Sequence, residues 1–188
     1  DKIKLDNLNK IIKKCRDIGT LNFSILARHG FIAKSLINSL IKKEIFTEKE
    51  IDLFEKNLNS ITTEMLKDSY SVSKKNLTKS KFMEKYGHLR PGTYDLTSKR
   101  YDQMKNFKYS KIKKNNKKFQ PSVNQIKKID ILLKKNNFKI SAHKFINYLR
   151  QSLTLREYSK FVFTKYLSLI LEKIAKIGRK NKVSRENL

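Results

Sequence analysis

Apolar residues recur every three or four positions along most of this chain, and no convincing alternation at every second position interrupts them. A period near 3.6 lays one apolar stripe along a helix, so such a chain is committed to packing helix on helix. Interruptions are scarce, because five glycines and two prolines in 188 residues leave few places where a helix must stop. The expected fold is all-α, an irregular bundle of about five to seven helices.

Leu8, Ile11, Ile12, Cys15 and Ile18, with Leu5 before them, share one face of a first helix, and Gly19 is its expected stop. A second helix is expected from Leu21 to Lys43. Its Ala27, Gly30 and Ala33 would let another backbone approach closely, which suits a central position. Thr47 and Glu50 have capping-box spacing, so a third helix should start there and run to about Tyr70. After a polar break over 71–79, a short helix should carry Phe82, Met83 and Tyr86 inward and end at Gly87. Ser122 and Gln125 repeat the capping-box spacing for a helix from Val123 to about Lys135. Ser141 can cap a long last helix to about Ile177, with Gly178 closing it. Residues 105–120 are poor in apolar side chains and rich in Lys and Asn, the composition of a mobile segment or of an arm that orders on a partner.

The length suits one domain, 1–188, able to bury roughly 70% of its unfolded surface. A net charge of +27 invites a nucleic-acid partner, since Lys and Arg neutralise phosphates. The kind of charge argues against it. Only eight of the 44 basic residues are Arg, the residue that recognises phosphate and bases bidentately, and sixteen Asn accompany the 36 Lys. Such a Lys-plus-Asn excess is what an AT-rich genome writes onto any solvated surface. A lone Cys15 excludes an internal disulfide or a multi-cysteine metal site and suits a reducing cytoplasm as a small apolar filler. No run approaches a membrane span and the N-terminus lacks a signal-peptide apolar core, so no membrane partner is expected. The chain begins at Asp rather than Met, as an excised piece of a longer protein would.

Gly87, Pro91 and Gly92 fall within six residues, so the backbone between 87 and 104 is being shaped into a loop. That loop also carries His88, Arg90, Asp95, Arg100 and Tyr101. Arg90 and Arg100 could grip a carboxylate or phosphate through paired hydrogen bonds, with Asp95 orienting a guanidinium. A salt-bridged loop in which Asp95 caps its own turn fits equally well. His88 could contact a ligand oxygen or serve the loop itself. Arg156 and Lys160 lie one turn apart on the last helix, beside Glu157, and would complete a positive pocket if they faced the loop. As scaffold, Arg156 would pair with an acid. Tyr94 and Tyr101 could line such a pocket or plug the core. His29 reads as a hydrogen-bonded core histidine and His143 as a surface one.

The segment Tyr86-Gly87-His88-Leu89-Arg90-Pro91-Gly92-Thr93-Tyr94-Asp95-Leu96 resembles the "YGHR-x-PGE-x-D-[LI]-x-x-PRW" stretch of phosphoenolpyruvate synthase-like enzymes, the group that includes rifampin phosphotransferase and is related to pyruvate phosphate dikinase. Arg100 continues the match and Tyr101 keeps the aromatic character. Thr93 stands where Glu is usual, Lys99 where Pro is usual, and the arginine falls at 90 rather than 89. Arg156-Glu157-Tyr158-Ser159-Lys160-Phe161 is similar to the family's "RE-x-x-KF" helix, and Ala27-Arg28-His29-Gly30-Phe31-Ile32-Ala33 resembles a third segment upstream.

The resemblance implies the central helical, acceptor-binding part of an ATP-dependent phosphotransferase, with His88, Arg90, Asp95, Arg100, Tyr101, Arg156 and Lys160 toward a small anionic acceptor. The catalytic residues would lie elsewhere. An ATP-grasp module would supply ATP and magnesium, and a swivelling domain the phosphohistidine carrier, both in the same parent chain. This helical part would hold no cofactor or metal and would be inactive alone. It carries no Walker-type, dinucleotide-binding or His-Glu-x-x-His pattern, which agrees with that division of labour. The alternative from another class is a basic helical nucleic-acid-binding module using the Lys-rich arm near 105–118. A third is a structural partner-binding bundle, recognisable by a large exposed apolar patch.

Overall fold

A computed structural model describes residues 2–110 and 118–188, with side chains from residue 7 onward. Among the described residues the protein is all-α, without a strand. The α-helices are α1 (Lys2–Lys14), α2 (Leu21–Lys42), α3 (Glu48–Lys56), α4 (Ile61–Ser73), α5 (Lys79–Tyr86), α6 (Val123–Lys135) and α7 (Ala142–Lys180). None of them is long and apolar enough to cross a membrane.

Local chemistry sets most helix starts. The Thr47 hydroxyl accepts from the Glu50 amide at 3.2 Å, and the Glu50 carboxylate accepts from the Thr47 amide at 2.8 Å, a closed capping box for α3. Ser122 and Gln125 close the same box for α6 at 3.2 and 2.8 Å. Gln125 then uses its amide nitrogen to reach Ile45 O and Glu50 Oε1, so the two caps brace each other.

Three expected boundaries move. Gly19 does not stop the first helix. Residues Cys15–Thr20 form a π-helical turn that carries the backbone from α1 straight into α2. The glycine serves approach instead, because a Cβ there would sit 3.2 Å from the Phe163 backbone. The expected third helix is two, α3 and α4. Asn57 ends α3 by turning its side-chain amide onto Leu53 O at 2.8 Å, and Ser60 accepts from the Thr63 amide to begin the next. Gly178 lies inside α7, which runs on to Lys180, and a Cβ on it would strike Leu188. The left-handed positions that follow α2, α4, α6 and α7 are taken by Glu44, Lys75, Asn137 and Lys182, with φ between 53° and 63°.

The chain forms two compact units. The first comprises Asp1–Ser24, Glu64–Lys113 and Ser159–Leu188. Its core is aromatic: Phe82 stands 4.9 Å from the Tyr86 ring centroid, 5.7 Å from Phe107 and 5.3 Å from Tyr109. Tyr86 is fully buried and its hydroxyl donates to Asp68 at 2.8 Å. The second unit comprises Ile25–Thr63 and Lys114–Tyr158. There Ala33, Ile37 and Leu40 of α2 pack with Phe54 of α3, Ile129 and Leu133 of α6, and Phe145 and Leu149 of α7.

The Lys- and Asn-rich segment expected to be mobile is packed at both described ends. Phe107 and Tyr109 join the aromatic core, and the Ser110 amide donates to Ser69 at 2.7 Å. Phe119 inserts edge-on against Phe46 and Phe54. Aromatic side chains spaced along a polar stretch outweigh its average composition. Residues 111–117, and with them half of the expected basic arm of 105–118, lie outside the described residues.

Candidate functional site

The candidate loop begins where α5 ends. Gly87 keeps a right-handed backbone (φ −60°), and its amide donates to Met83 O at 2.7 Å. Its lack of a side chain matters for space, not for φ: a Cβ would lie 2.3 Å from Met83 O and 2.9 Å from Asp102 Cβ. Gly87→Ala is expected to destabilise the protein by about 1–3 kcal/mol, as overpacking against backbone does. Urea unfolding of the two proteins measures it, and a loss within error would mean that the turn simply relaxes.

Backbone bonds fold the two ends of the loop together. The Tyr101 amide donates to Leu89 O at 2.8 Å and the Asp102 amide to Gly87 O at 3.2 Å. Within the loop, Asp95 accepts from the Thr97 amide and hydroxyl at 2.8 and 2.7 Å, and these bonds hold its carboxyl below the usual carboxylate range. Asp95 is exposed and caps its own turn, so its carboxylate orients neither arginine. Gly92 donates its amide to Ser98 Oγ at 3.1 Å.

Arg90 is the centre of the arrangement. Its side chain is 2% exposed, and Nη1 donates to Asp95 O and Ser98 O at 3.1 and 3.2 Å. Nη2 donates to Ser168 Oγ and Glu172 Oε1 of α7, each at 3.1 Å, while Nε is buried without a partner. Glu172 also accepts from Arg185 at 2.7 Å and from Gln103 at 2.9 Å, and Arg185 donates to Leu96 O at 2.9 Å. One carboxylate thus clamps two arginines and both flanks of the loop. Burial works to raise the Glu172 pKa, but the bonds from Arg185 and Gln103 and the charges of Arg185 and Arg90 hold it low.

The other predicted residues have definite positions. Arg100 pairs bidentately with Asp102, its Nε at 3.0 Å from Oδ1. The Tyr101 ring packs 4.8 Å from Phe107, part of the aromatic core. Lys160 is exposed on α7 in the first unit. Arg156 belongs to the second unit, where its aliphatic stem crosses Gly30 and its guanidinium lies 5.4 Å above the Phe31 ring. Tyr94 is exposed. His29 meets the Tyr148 hydroxyl at 3.1 Å with its ring exposed, and His143 is exposed. The structure therefore brings His88, Arg90, Asp95, Arg100 and Tyr101 into one loop.

Sequence reasoning missed Ser168, Glu172, Gln103 and Arg185. A signal existed for one of them: Glu172 is the only acid in the basic and apolar stretch from 158 to 185.

His88 is buried 4.7 Å from the Phe161 ring, and its Nε2 has no hydrogen-bond partner. Burial pushes its pKa down from 6.5 to about 4. The charges of Lys165 and Arg100 add to this, and the backbone carbonyls of Phe161 and Lys85 pull the other way. The folded pKa lies below the unfolded one, so between pH 4 and 6.5 the unfolded chain binds more protons than the native one. The His88 contribution is whole above pH 6.5 and is lost as the pH falls toward 4, with a slope approaching about 1.4 kcal/mol per pH unit inside that window. Unfolding of the parent and of His88→Phe at pH 7 and 5 checks this. Parallel losses in the two proteins would mean that His88 is solvated.

Among the described residues no three His, Cys, Asp or Glu side chains converge as a metal site. No family model, curated protein or solved structure matches this chain.

Proposed function

We propose that this chain is the helical, acceptor-side scaffold of an ATP-dependent phosphotransferase of the phosphoenolpyruvate synthase-like kind, in which a histidine on another domain carries the phosphoryl group. The observation that carries the reading is the correspondence between motif and architecture. The segment bearing the resemblance, Tyr86 to Tyr101, is a self-braced loop locked to α7 through Arg90, Ser168 and Glu172. Motif residues so heavily bonded to one another hold a shape. Arg90 and Arg100 already have carboxylate partners, so an anionic acceptor would meet the exposed groups of the same loop, Tyr94 and Lys99, more readily than the guanidiniums. Within this reading ATP and magnesium belong to the other modules of the parent chain.

The test uses the natural gene product. Antibody raised against this domain should capture a polypeptide several domains larger than 22.2 kDa. Incubation of that polypeptide with ATP labelled in the β-phosphate, and separately in the γ-phosphate, should yield an acid-labile, base-stable phosphohistidine from one of the two labels, the other label leaving in solution. A captured product near the size of this chain that takes no label would overturn the proposal.

A further inference from the structure

We infer that the turn joining α6 to α7 is a binding groove for single-stranded nucleic acid, with Phe138 as a stacking platform and Lys134 and Lys139 as phosphate contacts. All of it lies in the second unit and uses none of the loop residues above. An open groove of about 660 Å³ is lined by Asp130, Lys134, Asn137, Phe138, Lys139, Ile140 and Ser141.

Charge complementarity selects a polyanion. From residue 131 to 144 the sequence has Lys134, Lys135, Lys139 and Lys144 and no acid, and all four lysines are exposed. The one carboxylate at the groove, Asp130, is engaged by the Ala142 amide at 2.7 Å. The aromatic narrows the choice further. Phe138 is 50% exposed although its backbone is fixed, with its amide on Leu133 O at 2.9 Å and Asn137 before it in the left-handed conformation. A ring held open to solvent on a rigid turn, between lysines, matches a base stacked between two phosphates. The surface is concave, which suits a threaded strand better than a bilayer.

The probe is a fluorescein-labelled twelve-nucleotide oligo-dT, followed by anisotropy with the whole chain at physiological salt. Phe138→Ala should weaken binding about tenfold, since stacking on an aromatic is lost. Lys134→Ala with Lys139→Ala should reduce the slope of log affinity against log salt by about 1.4, two contacts' worth for a single strand. A charge-matched pair on α5, Lys79→Ala with Lys81→Ala, should change neither. Circular dichroism confirms that each variant is folded. The inference is overturned if Phe138→Ala stays within about twofold of the parent, or if the α5 pair costs as much as the groove pair. It also fails if poly-glutamate competes as well as unlabelled oligo-dT, or if anionic vesicles rather than the oligonucleotide show the Phe138 dependence.

Discussion

Glu172→Ala is expected to lower the unfolding free energy by about 3–5 kcal/mol, the cost of leaving a buried charge without its partner. Arg90 would keep its bonds to Asp95 O, Ser98 O and Ser168 Oγ, but its countercharge would be gone while Arg185 stayed nearby. Against a total stability of about 5–15 kcal/mol, such a loss is large. The informative comparison is Arg90→Met. It removes the buried charge and leaves Glu172 paired with Arg185 and Gln103, so it should cost distinctly less than Glu172→Ala. Urea unfolding of both single variants and the double variant measures the coupling. Equal costs for the two single variants, or a Glu172→Ala loss below about 1 kcal/mol, would mean that water reaches Arg90 and that the clamp is a surface ion pair.

Tyr86→Ala should cost a comparable amount, about 3–5 kcal/mol, because a fully buried ring in contact with Phe82 and Phe161 leaves a cavity that its aromatic neighbours cannot fill. Tyr86→Phe separates packing from polarity. It removes only the hydroxyl donated to Asp68, which Lys85 still contacts at 3.3 Å, and should cost about 1 kcal/mol. Burial and the Asp68 carboxylate both raise the phenol pKa, so the neutral tyrosine persists through ordinary alkaline conditions. If the Phe variant lost as much as the Ala variant, the Tyr86–Asp68–Lys85 bonds rather than the ring would be holding the first unit.

Helix starts were legible in the sequence because a cap is chemistry within four residues: Thr47 with Glu50 and Ser122 with Gln125 bond as their spacing predicts. Helix stops were less legible. Glycine read as a stop fails at Gly19 and Gly178, which lie within continuing helix, and holds at Gly87, which ends α5 from a right-handed backbone; each of the three admits a neighbour too close for a Cβ. The break between α3 and α4 contains neither glycine nor proline and rests on side-chain bonds from Asn57 and Ser60. In the loop, the glycines and proline announced a shaped backbone, and the Asp95 turn was one of the readings its residues allowed. The destination of Arg90 was invisible, because Ser168 and Glu172 lie 78 and 82 positions further on.

The chain enters and leaves its two units four times, and the first unit draws its last segment from Ser159–Leu188. During synthesis at roughly 5–20 residues per second, Arg90 therefore leaves the ribosome roughly 4–16 seconds before Glu172. Over that interval its guanidinium lacks Glu172, its carboxylate partner on α7, and the loop cannot dock. The second unit has all its residues once Tyr158 is made, so it can fold first, while the first must wait for Ser159–Leu188. A chain cut short just before Glu172 would have one unit able to form and the other lacking the carboxylate that docks its loop, a natural target for cellular proteases.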